Sequence, residues 1–191
     1  MKRGLAVLLC LLISAAQGNT LEEREALRRF LETTINEASS FEDRYDAEVW
    51  LVDMSTRLEP WIKDHDSRLQ LLKMVHHFAR QSDLSPELVL SVIQVESSFD
   101  RFAVSRAGAQ GLMQVMPFWK DEIGRPEDNL TDVRTNLSYG CRILEFYLRK
   151  EEGRLTTALA RYNGSLGSPV YPDKVERAWR KRWRMSPLNW Y

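Results

Sequence analysis

Apolar residues recur along this chain at intervals of three and four, the repeat that gathers them on one face of an α-helix. Residues 21–39 place Leu27, Leu31, Ile35 and Ala38 at that spacing. Residues 45–59 do so with Val49, Trp50, Met54 and Leu58, before Pro60 breaks the pattern. Residues 67–80 carry Leu71, Leu72, Val75, Phe78 and Ala79. Asp132 can cap a helix over 133–151 that aligns Leu137, Cys141, Leu144, Tyr147 and Leu148, with Gly153 beyond its end. A short apolar helix is predicted over 155–162, and an amphipathic one over 173–184 with Val175, Trp179 and Trp183. Strict alternation is sparse, and no two-residue turn lies between alternating runs. The fold class is therefore all-α, with residues 39–43 as the best linker.

The one long apolar run needs a different explanation. Residues 5–13 are nine consecutive apolar residues behind Lys2 and Arg3, too short to span a bilayer. Small residues follow, so the segment has the form of an export signal, cleaved after Gly18 or Ala16. An uncleaved anchor is the alternative. Leu9 before Cys10 argues against lipoprotein processing. Cleavage would leave Cys141 as the lone cysteine, best explained as a small buried hydrophobe.

Composition removes several classes. Hydrophobic residues are 43% and charged residues 28%, the balance of a globular domain. Two cysteines exclude a disulfide framework and a cysteine zinc module. The 27 bases balance 27 acids, so no general polyanion binder is implied. His76 and His77 are adjacent and point about 100° apart on a helix, and His65 has no partner at ligand spacing, so no metal site is expected. Residues 141–191 hold eleven bases against five acids, several of them interleaved with Trp179 and Trp183. An exported protein rarely meets nucleic acid, so none is expected as a partner. A solvated helix face is the first explanation of this basic stretch, and attraction to an anionic wall or membrane surface the second.

Candidate chemistry concentrates after residue 84. Ser85 is a good N-cap, Pro86 suits the first turn, and Glu87 suits the positive helix end. The run 88–95 is β-branched enough for a strand, but these cap signals favour a buried helix. On it, Glu96 follows Ile93 and Val92 by three and four residues and Val89 by seven, so it shares the apolar face. It also sits at the negative end of the helix dipole. Burial and dipole both disfavour a charged carboxylate and raise its pKa, which is what a general acid near neutral pH needs. The alternative is a helix-ending glutamate turned to solvent. Asp100, four residues on, is expected to cap or turn the loop, and Phe118 and Trp119 to pack in the core, with stacking on a ligand's ring as the alternative.

Three motifs follow one another: VESSFD at 95–100, AVSRAGAQGLMQVMP at 103–117 and ALARYNGS at 158–165. In order and separation they resemble the catalytic motifs of the soluble lytic transglycosylases, relatives of goose-type lysozyme. The resemblance covers about residues 70–180. It implies a lysozyme-like helical domain over 70–185; outside it the residues themselves give a signal at 1–18, an additional helical segment at 19–69 and a short tail at 186–191. It implies Glu96 as the single catalytic acid and base. Ser97 would support that carboxyl or contact substrate, Gln114 would bind an N-acetyl group, and Met113 would wall the cleft. Tyr162 would lie beside Glu96 and orient it, and Asn163 would line the site. Arg161 departs from the small alanine common at its place, and Gly164-Ser165 from Ala-Gly. The implied substrate is peptidoglycan glycan strands in a bacterial periplasm or other extracytoplasmic space, cleaved without a cofactor. A hydrolytic muramidase using Asp100 and an idle wall-binding protein are the alternatives.

Overall fold

In the computed structural model, which describes residues 44–185, the elements are α1 (Arg44–Leu58), α2 (His65–Gln81), α3 (Pro86–Ser97), α4 (Trp119–Ile123), α5 (Val133–Lys150), α6 (Leu155–Tyr162) and α7 (Val170–Ala178). A π-helical turn, Trp179–Trp183, continues α7. No strand forms among the described residues; two isolated bridges pair Gln110 with Val104 and with Val115. The expected helix at 21–39, the linker at 39–43, the export segment and the tail at 186–191 lie outside the described residues. Two compact units divide the chain, Met1–Glu48 and Val49–Tyr191, and every helix from α2 onward belongs to the second.

The helix expected after Ser85 is the centre of this second unit. Ser85 caps it, its Oγ accepting from the Leu88 N–H, and Pro86 opens it. Leu88, Val89, Leu90, Ser91, Val92 and Ile93 are all buried, so α3 is covered on every side. A helix that is apolar all round belongs inside. It packs against α2, α7 and the π-helical turn, while α5 lies against α2 and α6, and α6 against α7. Asp132 caps α5 as its position implies, accepting from the Thr135 N–H at 2.9 Å. Cys141 on that helix is fully buried, and burial pushes its thiol far above the usual range.

Two expectations change. The last helix begins earlier than expected, at Val170, and widens at Trp179. The wider turn brings Trp183 into the core, fully buried beside Phe99 and Trp61, where its indole N–H donates to Gln94 Oε1 at 2.7 Å. The expected core role fails for Phe118, which is 53% exposed. The short helix it introduces, α4, buries none of its residues and so offers the ring no core face.

Trp183 thus joins the final turn to α3 by packing and by a hydrogen bond. Trp183→Ala is expected to lower unfolding stability by about 4 kcal/mol, the usual cost of emptying a large buried aromatic site. Urea unfolding followed by circular dichroism checks it.

Candidate active site

Glu96 occupies the last turn of α3, one residue before the helix ends at Ser97. Ser98 takes the left-handed conformation as C-cap, with φ +50°, and sends the chain away from the helix axis. The Glu96 side chain lines a cleft of about 480 Å³ with Asn163, Ser165, Ser168, Tyr171 and Lys174. Among the described residues its carboxyl is held by the Tyr171 hydroxyl, which donates to Oε1 at 2.6 Å. Burial raises the Glu96 pKa to about 7, and the Tyr171 bond opposes that rise. Desolvation wins because a single phenol replaces only part of the water a carboxylate loses.

Behind Glu96 lies the loop of residues 98–118. Gln110 and Val115 exchange both backbone hydrogen bonds at 2.9 Å, making a tight hairpin-like turn. Gln114 closes it with φ +50°, a conformation that costs a non-glycine residue on the order of 1 kcal/mol. Its amide donates to Ala103 O at 3.1 Å and Gly111 O at 2.9 Å. Both donors are thus committed to the loop, and Gln114 offers a ligand its acceptor oxygen.

Asn136 on α5 holds the same loop from beneath. It is 1% exposed, accepts from the Met113 N–H at 2.7 Å, and donates to Gln110 O and Leu130 O at 2.8 Å. Gly111, at φ +75°, has no room for a side chain: a Cβ would stand 2.4 Å from Asn136 Nδ2 and from Leu130 O. Gly140, one turn after Asn136, leaves space for Met113, whose sulfur would be 2.4 Å from a Cβ there.

The expected site residues divide accordingly. Glu96 and Asn163 line one cleft, while Gln114 stands outside its lining, on the loop of residues 98–118. Met113 does not wall the cleft: its side chain is fully buried, because Gly140 opens a seat for it. Ser97 does not hold the Glu96 carboxyl; its hydroxyl donates to Leu112 O at 2.8 Å and ties the helix end to the loop. Tyr162 is near enough to Glu96 to feel its charge, but its hydroxyl donates to Met113 O at 2.7 Å. Tyr171 is the residue that holds Glu96, and sequence reasoning missed it. Its signal was present: Tyr171, Val175 and Ala178 share the buried face of α7. Asn136 was missed too, although an asparagine adjoining the apolar face of α5 asks for buried partners. Asp100 makes the expected turn, accepting from the Phe102 N–H at 2.9 Å. Among the described residues, no cluster of three or more His, Cys, Asp or Glu could hold a metal ion.

The family model described as the transglycosylase SLT domain matches residues 73–181, more than half of the chain and all of this site. The chain belongs to the transglycosylase SLT domain family. It is 33% identical over 114 residues to the transglycosylase of Enterobacteria phage PRD1, covering 56% of this chain and 42% of that one. It is 32% identical over 137 residues to membrane-bound lytic murein transglycosylase C of Salmonella paratyphi B, covering 62% and 38%. Among solved structures, an inactive mutant of lytic transglycosylase Slt from Pseudomonas aeruginosa aligns with TM-score 0.44 and 26% identity, over 56% of this chain and 18% of that one. The chain thus spans less than half the length of these relatives. Within the SLT segment, Arg161 has a structural role. Its guanidinium pairs with Glu151, a carboxylate only 5% exposed at the end of α5, which also meets Arg154 at 3.3 Å. The pair joins α5 to α6 immediately before Tyr162.

The carboxyl of Glu96 should titrate near pH 7, read from its infrared stretching band against a Glu96→Gln blank. Tyr171→Phe removes a bond to the charged form, so it should move that midpoint upward. Because the folded-state pKa lies above the unfolded one, Glu96 lends stability below about pH 4.5 that is lost as pH rises to about 7.

Proposed function

We propose that this chain is a peptidoglycan lytic transglycosylase. It cleaves the β-1,4 bond between N-acetylmuramic acid and N-acetylglucosamine and leaves 1,6-anhydro-muramic ends, working outside the cytoplasm on glycan strands. The observation that carries this reading is a cleft with one carboxylate, Glu96, whose pKa of about 7 keeps a large share of it protonated near neutral pH.

The chemistry follows from that one group. Protonated Glu96 gives its proton to the oxygen leaving C1 of the muramic residue, and the glycosidic bond breaks toward an oxocarbenium-like sugar. The carboxylate so formed takes the proton of the same sugar's 6-hydroxyl as that oxygen bonds to C1. Glu96 returns to its starting state, and no water is consumed. Most glycosidases need two carboxylates because the second activates a water or attacks the sugar. Here the nucleophile is already tethered to the reacting ring, which gives it a high effective concentration. Gln114 would accept from the N–H of an N-acetyl group, Asn163 would line the sugar's path, and Tyr171 would hold the Glu96 carboxyl toward it.

A muramidase on this scaffold would need a second carboxylate for water. Asp100 is exposed and spends its carboxylate on the Phe102 N–H, which holds it in the turn after α3. Nothing favours that alternative, and a cleft that raises a carboxyl's pKa this far does not favour an idle binder.

Digestion of purified peptidoglycan followed by mass spectrometry tests the proposal. Muropeptides one water lighter than hydrolytic products, without a reducing end at muramic acid, are expected. Only reducing muropeptides would replace it with the muramidase. Glu96→Gln should lower the rate roughly 100-fold or more, since it keeps shape and removes the proton.

A further inference from the structure

The basic region expected to be a solvated helix face begins at the cleft. Lys174 lines the cleft together with Glu96 and is exposed on α7. Arg177 follows three residues later and Lys181 four after that, the second step falling in the wider π-helical turn. Residues spaced by three and four lie one above another along a helix, so the three bases form a track leading away from the cleft. All three are exposed, and none of their side chains makes a hydrogen bond or ion pair among the described residues. Of the neighbouring acids, Glu176 meets Arg180 at 3.6 Å, and Asp173 makes no ion pair among the described residues, which leaves three bases against one unpaired acid. Tyr171, Val175 and Ala178 form the buried face of α7, and the three bases run along one margin of it, where the helix surface turns to solvent.

Unpaired cations in a row beside a substrate cleft point to anions carried by the substrate. A bare polysaccharide would supply few of them. The strands of peptidoglycan bear short peptides with free carboxylates on their muramic residues. We propose that Lys174, Arg177 and Lys181 extend the cleft as a binding track for stem-peptide carboxylates, so that this chain prefers peptide-bearing strands. The proposal rests on the function given above. Continuity with the cleft through Lys174 favours the substrate over an anionic lipid surface, which would need no such alignment.

The test compares peptide-bearing glycan strands with the same strands after their peptide carboxylates are capped as methylamides, at low ionic strength. The unaltered protein should show a KM roughly three- to tenfold lower for the free carboxylates, as expected for a few exposed ion pairs. R177Q/K181Q should bring the two KM values together, and the conservative R177K/K181R should not. High salt should act as R177Q/K181Q does. Equal KM values for the unaltered protein would overturn the proposal. So would a ratio that R177Q/K181Q leaves intact, including the case in which that variant loses only its binding to phosphatidylglycerol vesicles. Turnover of both strands with no preference would sink the track alone, whereas turnover of neither would remove the proposed function and the track with it.

Discussion

The structure depends on one constraint, a carboxyl held at the end of a helix that is buried on every side. An apolar helix such as α3 is stable only when other elements cover it. Covering it as far as Ile93 leaves Glu96, in the half-buried last turn, with little water, and the negative end of the helix offers no compensation. The carboxyl therefore keeps its proton to an unusually high pH. Residues that would pair it with a cation would lower that pKa and cancel the effect. The Tyr171 hydroxyl supplies the compromise, a neutral donor that fixes the carboxyl's direction while leaving most of the shift in place.

Much of what surrounds this carboxyl is scaffolding. Ser97, Asn136 and Tyr162 spend their polar groups on the backbone of the loop: Ser97 on Leu112, Asn136 and Tyr162 on Met113. These bonds lock the loop of 98–118 to α3, α5 and α6 together. The left-handed Gln114 directly follows these anchored residues, so its strain is supported from several sides. The Glu151–Arg161 pair braces α5 against α6 beside Tyr162. Rigid support of this kind is what a site needs if a proton is to move over a fixed short distance.

The helices were legible because their hydrophobic repeat and their caps agreed. Ser85 and Asp132 stand where their helices begin, and the face carrying Leu137, Cys141 and Leu144 is the buried one. Glu96 was legible for the same reason, since it falls on the apolar face of α3. The roles around it were less legible. A motif records which residues stand together in a chain, not which hydroxyl meets which carbonyl. Tyr171 and Tyr162 are both tyrosines near a helix end, and only the path of the chain between α6 and α7 decides that the first reaches Glu96. The π-helical turn was not legible either, because it follows from Trp183 finding Gln94 on another helix.

The central claim is that burial makes Glu96 the acid of a one-carboxylate reaction. The most direct measurement is kcat/KM on peptidoglycan as a function of pH. A group that must be protonated to act predicts a rate that falls as pH rises, by one proton, with a midpoint near 7. A midpoint in the ordinary glutamate range, or a rate unchanged through pH 7, would contradict the account.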